Sequence, residues 1–449
     1  MAHGPWRLAI LDPAVPLAAS DPPLDRRRAL VALAAAPLAC GRLAAAANED
    51  AVEAERLTAL VQRTFWDAQA CQYRAPVRSA ESVDSAGVHD RGYVLWPAIE
   101  ALAALVEAEG VQPGRHAATI AAVVDGLAQY FDPGLHAYHA WLMYPGNRDT
   151  YYDDNALLVG ALLRAFERTQ VTAYRDRAVE VAERFLVGGL RDDAAGGVQW
   201  GTDPGKANTG DRAACATAMS ALAYLGLARC GIAREANAAR AARLLDWIRD
   251  RLTDTDGLVM DGLMPPDWRV RRVKWTYNTG VTLRANVELY RLTRDAAWLE
   301  RARALGAKAL NRGANMYDGL VRDPGRRCFY DSSYFVPYLV EGLLALWRET
   351  GDDALLAEVR RNAAYARAHL RDPADGLYWR NWRLWRIGDA QLARWQELTG
   401  QTHRLEADDS ERSKDRRDLA LPVAQRPLVK TLLANAGMAR LWWLLAGLR

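Results

Sequence analysis

A glycine followed by an apolar residue recurs about every sixty residues, and this repeat limits the possible folds more than any other feature. The pairs are Gly134-Leu135, Gly197-Val198, Gly257-Leu258, Gly319-Leu320 and Gly376-Leu377. A segment of mixed polarity precedes each pair, and an apolar segment follows it. Such a period indicates repeated units, each of which needs neighbours to cover its apolar face.

The segments between these turns predict twelve helices of two alternating kinds. We expect buried helices at residues 93–109, 152–168, 210–229, 278–292, 332–349 and 427–446. We expect surface helices at residues 50–70, 115–130, 172–187, 233–252, 295–311 and 353–370. In the helix at 295–311, for example, the apolar residues form one stripe among charged residues, namely Trp298, Ala302, Leu305 and Ala309.

One helical hairpin per repeat predicts six hairpins, which can cover their apolar faces by closing into a ring. The predicted fold class is therefore all-α, an (α/α)6 toroid. Open helical solenoids have the same local pattern, but their repeats are usually shorter, about 34 to 47 residues.

The last repeat is irregular, with about fifty residues between Gly376 and the final helix. Its tryptophans could line a sugar groove or pack between helices, and they are Trp379, Trp382, Trp385 and Trp395. The charge-dense stretch 405–418 predicts a solvated loop.

The first 47 residues differ in composition from the rest. Arg26-Arg27-Arg28 precedes the apolar run 29–39 and then small residues, which is the pattern of an export signal. The paired arginines indicate the twin-arginine route, although Asp25 stands where Ser or Thr is usual. An ordinary Ala-rich helix is the alternative. We expect a signal and N-terminal extension over 1–47, a single catalytic domain over 48–449, and a periplasmic or secreted protein.

Charge and cysteine spacing exclude several other classes. The formal net charge is +3, with 58 basic and 55 acidic residues interspersed, which argues against nucleic-acid binding. No apolar run reaches the length of a membrane span, so we expect no stable membrane insertion. Beyond Cys40, a conceivable lipidation site, four scattered cysteines lack the spacing of metal ligands and predict free buried thiols. We expect a monomer.

Two adjacent carboxyl groups, Asp153 and Asp154, stand where a polar loop turns into a long apolar helix. An isolated pair there would be explained by helix capping and by the positive end of the helix dipole. A retaining glycosidase, however, needs two carboxyl groups about 5 to 5.5 Å apart. Neighbouring residues in a first helical turn can reach that separation.

The run 152–156, Tyr-Asp-Asp-Asn-Ala, the run 275–281, Trp-Thr-Tyr-Asn-Thr-Gly-Val, and the helical layout resemble glycoside hydrolase family 76, the endo-acting α-1,6-mannanases. The resemblance extends from about Ala51 to the C-terminus, and it implies that Asp153 is the nucleophile and Asp154 the acid/base. Three segments depart from the family: Thr279 stands where Gln is common, 331–337 lacks an expected basic residue, and the likeness around 206–212 is loose. These departures concern substrate contacts and leave the linkage and the sugar open.

Loops that lead into the inner helices of a ring gather at one end, where they form a bowl. Sugar sites combine carboxylates with aromatic rings and amides, because a sugar has apolar faces and directional hydroxyls. The predicted substrate-binding residues in these loops are Trp96, Tyr152, Asn208, Asp211, Trp275, Tyr277 and Asn278. Other candidates there are Trp141, Tyr144, Tyr151, Trp200 and Asp331, and each alone is more often structural.

The sequence therefore predicts a retaining glycoside hydrolase that cleaves α-1,6-mannosidic linkages in a mannan-type glycan, with no metal or cofactor. An unsaturated-uronide hydrolase, with basic groups for the substrate carboxylate, is an alternative because arginine is abundant. A sugar 2-epimerase needs inner-helix histidines, whereas none of the seven histidines lies well inside a predicted inner helix. A non-catalytic exported glycan-binding protein is the third alternative.

Overall fold

The computed structural model describes residues 49–75, 92–142, 149–414 and 417–448. All of them belong to one unit, Ala47–Arg449. The predicted export signal, Cys40, the domain boundary after residue 47 and Tyr144 lie outside the described residues.

Thirteen α-helices are present in the described ranges. The first six are α1 (49–65), α2 (Leu95–Val111), α3 (Ala117–Leu127), α4 (Tyr152–Thr169), α5 (Thr172–Arg184) and α6 (Ala214–Arg229). The others are α7 (Arg234–Leu252), α8 (Thr276–Thr293), α9 (Ala296–Ala309), α10 (Val336–Thr350), α11 (Asp353–Tyr365), α12 (Asp389–Thr399) and α13 (Leu432–Ala446).

Six of these helices form a closed inner ring. In chain order, α2, α4, α6, α8 and α10 each pack against the next, α10 packs against α13, and α13 returns to α2. Almost every residue of α6 and α13 is buried, as their apolar composition predicts. The outer helices bury only a stripe, and in α9 that stripe contains Trp298, Ala302, Leu305 and Ala309. The predicted all-α toroid is confirmed.

Two glycines set the closest approach inside the ring, between α8 and α10. A Cβ atom on Gly342 would lie 2.5 Å from the carbonyl oxygen of Gly280, well inside contact distance. Only residues without side chains allow the two backbones to meet here. Gly280 of the 275–281 motif therefore serves helix packing.

Short antiparallel strands connect outer helices to inner helices. They are β1 (Trp66–Asp67), β2 (Gln72–Tyr73), β3 (Phe131–Asp132), β4 (Ala137–Tyr138), β5 (Arg212–Ala213), β6 (Gly262–Met264) and β7 (Arg269–Arg271). β1 pairs with β2, β3 pairs with β4, and β6 lies between β5 and β7, with Leu263 opposite Arg212 and Val270.

Extended pairing also corrects three predicted helix starts. Residues 212–213 are occupied by β5, so α6 begins at Ala214 rather than at 210. Ser332 bridges to Asn381 before α10, and Leu428 bridges to Arg412 before α13. These two helices accordingly begin four and five residues later than predicted, at 336 and 432.

A polar residue at the fourth position of four inner helices anchors the connection that precedes the helix. Its side-chain oxygen accepts the backbone N–H of a residue that follows the glycine turn. The pairs are Asn155 with Tyr138 at 2.8 Å, Thr217 with Val198 at 3.1 Å, Thr279 with Val259 at 3.3 Å, and Asn435 with Tyr378 at 2.7 Å. Thr279 is fully buried, so its departure from the family pattern affects packing rather than the predicted substrate contacts.

The irregular last repeat contains α12, a helix that the sequence pattern did not predict. The four tryptophans of this repeat are all buried. Trp385 and Trp395 both donate their indole N–H to Oδ2 of Asp318, at 3.0 and 3.3 Å. These tryptophans therefore pack in the core. The predicted solvated loop is wrong in part, because Glu411 and Arg412 are buried and burial raises the pKa of Glu411 to about 7.

The C-terminal ends of the inner helices surround a cavity of about 670 Å³ at the opposite end of the ring from their N-termini. Seven arginines and four glutamates line it, namely Arg164, Arg168, Arg229, Arg234, Arg284, Arg291, Arg348, Glu107, Glu167, Glu288 and Glu341. Helix C-termini carry partial negative charge, which the excess of arginine offsets. Among the described helices, none has both the length and the apolar character that a membrane span requires.

Candidate active site

Asp153 and Asp154 are the second and third residues of α4, at the N-terminal end of the ring. The residue that precedes the helix is Tyr151, and no side chain caps the helix start. Neither aspartate is therefore the N-cap residue, although amide groups in a first helical turn favour nearby negative charge. Both residues are partly exposed, although Oδ1 of Asp153 is buried.

Asn155 holds this first turn in place. Its Oδ1 accepts the backbone N–H of Tyr138 at 2.8 Å, and its Nδ2 donates to the carbonyl oxygens of Tyr138 at 3.0 Å and Tyr151 at 2.9 Å. The side chain is fully buried, so the bonds do not compete with water. The direction in which α4 presents the two carboxyl groups is thus tied to strand β4.

The two oxygens of Asp153 have different surroundings. Oδ2 accepts the indole N–H of Trp200 at 3.0 Å and the thiol of Cys215 at 3.3 Å. Oδ1 is buried and accepts no hydrogen bond from any residue that the structure describes. Burial raises the pKa of Asp153, and the donors from Trp200 and Cys215 oppose that rise.

Asp154 lies in a different environment from Asp153. Its side chain forms no hydrogen bond and no ion pair with the described part of the chain. Burial and then the charge of Asp153 raise the pKa of Asp154 well above its ordinary value. The site therefore holds one carboxyl group that receives two donors and one whose pKa is raised well above its ordinary value, an arrangement that suits general acid catalysis.

Equivalent positions on four neighbouring inner helices converge on this pair. The second residues of α2, α4, α6 and α8 are Trp96, Asp153, Cys215 and Tyr277. Tyr277 faces the Cys215 sulfur, and the Cys215 thiol donates to Asp153. Cys215 was predicted only as a free thiol, but its position in the repeat is a signal that could have identified it.

Aromatic rings surround Phe335, which was not predicted as a site residue. Its ring stacks on Tyr277 with centroids 4.1 Å apart and on Trp96 at 5.8 Å, and Trp275 lies 5.7 Å away at a tilt. All four side chains are partly exposed. Phe335, Trp275 and Tyr151 each directly precede an inner helix, a repeated position that could have revealed Phe335.

A polar network links the other predicted residues through Arg271 and Asp261, neither of which was predicted. Arg271 Nη2 donates to Asn208 Oδ1 at 3.0 Å and to Asp211 Oδ2 at 2.7 Å, and its Nη1 lies 3.2 Å from Asp261 Oδ2. Asn278 Nδ2 donates to Asp261 Oδ1 at 3.4 Å. Asn278 and Asp211 are buried, so they orient neighbours rather than presenting a surface to a sugar.

Tyr152 faces away from this group, which corrects its prediction as a substrate contact. Its ring is 6% exposed, stacks on Phe185 with centroids 4.6 Å apart, and lies against Gly189. We therefore assign Tyr152 to the packing of α4 against the turn that follows α5. Asp331 is also structural, because its Oδ2 accepts the backbone N–H and the hydroxyl of Thr276 at 2.8 and 3.0 Å.

Within the described ranges, no group of His, Cys, Asp and Glu side chains could hold a metal ion.

Comparison with known proteins identifies the family. The family model described as glycosyl hydrolase family 76 matches residues 55–407, most of the chain. The chain belongs to glycosyl hydrolase family 76. Family 76 proteins are glycoside hydrolases, and this chain is accordingly an enzyme of that class.

Individual family 76 and related proteins share the fold at low identity. The chain is 29% identical over 337 residues to the meiotically up-regulated gene 191 protein of Schizosaccharomyces pombe. The aligned region covers 71% of this chain and 75% of the relative. A family 76 glycoside hydrolase from a bovine Bacteroides thetaiotaomicron strain superposes with a TM-score of 0.68 at 18% identity, over 88% of this chain and 77% of that chain.

An α-1,6-mannanase of Salegentibacter sp. also superposes, with a TM-score of 0.65 at 17% identity, over 89% of this chain and 99% of that chain. That structure is of an inactive variant in which two consecutive aspartates are replaced by alanine, in complex with α-1,6-mannotetrose.

Proposed function

We propose that this family 76 enzyme is a retaining hydrolase of α-1,6-mannosidic linkages, with Asp153 as nucleophile and Asp154 as acid/base. One observation carries the proposal: adjacent carboxyl groups at the start of an inner helix lie in unlike environments. Asp153 receives hydrogen bonds from Trp200 and Cys215, which oppose the rise of its pKa on burial, whereas the pKa of Asp154 is raised by burial and by the charge of Asp153. Neither aspartate forms an ion pair with a described residue that would neutralise it.

The first step forms a bond between an Asp153 oxygen and the anomeric carbon of the mannosyl unit. The bond from that carbon to the bridging oxygen breaks, and the Asp154 proton moves to the departing oxygen. In the second step the Asp154 carboxylate takes a proton from a water molecule, whose oxygen attacks the same carbon. Asp153 is released, and two inversions leave the anomeric configuration retained.

The linkage is supported by a structural neighbour. The Salegentibacter α-1,6-mannanase is inactive with two consecutive aspartates replaced, and in that form it was crystallised with an α-1,6-linked tetrasaccharide. Asp153 and Asp154 are the consecutive aspartates that the site presents here. We therefore assign the same class of linkage to this enzyme.

The charges around the site favour a neutral sugar over a uronide. A uronide hydrolase needs a basic group that is available to the substrate carboxylate. Here Arg271 already pairs with Asp211 and Asp261, and Lys206 pairs with Asp149. These basic groups are neutralised by the protein itself, so a neutral mannan is the better match.

The decisive experiment incubates the purified enzyme with linear α-1,6-mannan and follows product length and, by NMR, the anomeric configuration of the first product. We expect the α-anomer to form first. Asp153→Asn should reduce turnover to background, and Asp154→Asn should reduce it by about 10²-fold to 10⁴-fold. Asp192→Asn is the matched control, because Asp192 belongs to a second adjacent aspartate pair that is exposed on a loop.

Three outcomes would contradict the proposal. A β-configured first product would exclude retention. Full activity of Asp153→Asn or Asp154→Asn would exclude the assigned roles. Release of products from unsaturated oligouronides, with none from mannan, would favour the uronide hydrolase instead.

We also infer that the enzyme acts outside the cytoplasm as a monomer. Support comes from the charged, apolar and small-residue regions over 26–47 and from the polymeric nature of the proposed substrate. Cell fractionation of the full-length chain and size-exclusion chromatography of the mature enzyme test the two statements separately.

A further inference from the structure

We propose that Cys215 is a positioning residue of the reaction: its thiol, together with the Trp200 indole, holds Oδ2 of Asp153 and so sets the orientation of the carboxyl group that attacks the sugar. The inference rests on the proposed function, because it assigns a role within the same site. It depends on contacts that join two inner helices, α4 and α6, and one connecting loop.

The geometry distinguishes the two carboxylate oxygens. Oδ2 accepts the indole N–H of Trp200 at 3.0 Å and the Cys215 thiol at 3.3 Å, so both of its lone pairs are engaged. Oδ1 is buried and accepts no hydrogen bond from the residues described. The two contacts to Oδ2 therefore fix the orientation of the carboxyl group.

A third residue, Tyr277, faces the Cys215 thiol, and the thiol donates to Oδ2 of Asp153. Burial and the neighbouring charge of Asp153 raise the pKa of Cys215 well above its ordinary value, so the group remains a thiol and a donor. Tyr277, Cys215 and Asp153 thus lie next to one another on α8, α6 and α4.

Two carboxyl groups that face the thiol favour its neutral form. Asp153 lies on α4 and Asp261 lies before β6, and both disfavour a thiolate by like-charge repulsion. Tyr277 on α8 acts in the opposite direction, but burial and the two carboxyl groups outweigh it. A hydrogen-bonded thiol is therefore the state in which Cys215 operates across the working pH range.

Two substitutions separate this role from simple packing. Cys215→Ala removes the donor and leaves an apolar residue that suits the alanine-rich α6. Cys215→Ser keeps a donor but places a hydroxyl in the same pocket. If Cys215 positions Asp153, serine should restore what alanine loses. If Cys215 only packs, alanine should be at least as active as serine.

The expected results for Cys215→Ala are a fall in kcat of about 10-fold to 100-fold with little change in KM, as loss of a hydrogen bond to a charged group implies. The acidic limb of kcat/KM should also move to higher pH, because Asp153 ionises less readily without a donor. Cys215→Ser should return both quantities toward the wild-type values. Thermal unfolding of each variant verifies that it is folded.

Cys230→Ala is the matched control. Cys230 is also a free thiol, it follows the far end of the same helix, and its sulfur lies 3.8 Å from a carboxylate oxygen of Glu167. We expect no change in kcat or in the pH profile for this variant. Unchanged kcat and an unchanged acidic limb in Cys215→Ala would overturn the inference, as would a serine variant less active than the alanine variant.

An infrared measurement distinguishes failure of this inference from failure of the proposed function. The S–H stretching band of Cys215 is identified as the band that disappears in Cys215→Ala. It should lie at lower frequency in the wild type than in Asp153→Ala, because a donating thiol has a weakened S–H bond. This comparison needs no substrate. If mannan is not cleaved but the band shifts, the proposed linkage is wrong and the thiol contact stands. If mannan is cleaved and the band does not shift, the role of Cys215 is wrong.

Discussion

Asn155 accepts the backbone N–H of Tyr138 at 2.8 Å and returns a hydrogen bond to the Tyr138 carbonyl at 3.0 Å. This reciprocal pair joins the strand after a glycine turn to the first turn of α4, directly beside Asp154. The same kind of pair recurs between Asn435 and Tyr378 at the start of α13. An element of the repeat that serves folding in one hairpin therefore also holds the turn that carries the proposed catalytic carboxyl groups in another.

Asn155→Ala is expected to lower the free energy of unfolding by about 3 kcal/mol, because it leaves a buried N–H and a buried C=O of Tyr138 without partners. It should also lower kcat of the folded enzyme, since α4 loses the anchor that directs its first turn. Chemical denaturation and kinetics measure the two effects. Asn435→Ala is the control, with a similar loss of stability and an unchanged kcat. Full kcat in Asn155→Ala would show that the anchor serves stability alone.

Trp200→Phe is expected to lower kcat by about 10-fold to 100-fold, since it removes an indole donor to the Asp153 carboxyl group and keeps the aromatic ring. The acidic limb of kcat/KM should move to higher pH for the same reason. Steady-state kinetics across pH measure both. Trp247→Phe is the control, because its indole donates to the Ala195 carbonyl at 2.7 Å from the outer helix α7. An unchanged acidic limb in Trp200→Phe would contradict the assigned contact.

Asp154→Asn is expected to stabilise the fold at neutral pH by about 1 kcal/mol while it abolishes most activity, a known conflict between function and stability. Asp154 has a raised pKa in the folded protein, so its contribution to stability is present below the ordinary pKa of aspartate. That contribution is lost as the pH rises through the raised value. The difference between variant and wild type should accordingly vanish in acid. Urea denaturation of both proteins at about six pH values between roughly pH 3 and pH 8 tests the direction of this pH dependence.

Glu341→Gln is expected to lower the free energy of unfolding at neutral pH by about 3 to 5 kcal/mol. Glu341 is buried in the ring among Arg164, Arg284 and Arg440, which lower its pKa to about 2. Its contribution is present above the ordinary glutamate pKa and is lost as the pH falls toward about 2, so the deficit of the variant should shrink in acid.

Glu349→Gln is the control for this change. Glu349 pairs with Arg291 nearer the surface, at 2.6 Å. Its substitution should lower the free energy of unfolding by at most about 1 kcal/mol. Equal effects of the two substitutions would mean that the central cluster contributes no more than a solvated ion pair.

The hairpin architecture was predictable because each helix carries its own exposure pattern. An apolar stripe can be recognised in one helix without knowledge of its neighbours, as in α9 with Trp298, Ala302, Leu305 and Ala309. The spacing of the glycine turns indicates the number of repeats. The starts of α6, α10 and α13 were not predictable, because they depend on bridges to strands or loops distant in sequence. The burial of Glu411 depends in the same way on groups supplied by other segments.

The carboxyl pair could be located from the sequence, since two acids at the start of an apolar helix are visible locally. The packing role of Tyr152 could not be predicted, because adjacent residues on a helix point about 100° apart. Tyr152 therefore faces Phe185 and Gly189 rather than the site. The sequence by itself determined the ring, the end of α4 that holds the acids and the type of chemistry. Only the tertiary structure decided that Cys215 and Trp200 contact Asp153, because closure of the ring, rather than any local pattern, brings the starts of separate hairpins together.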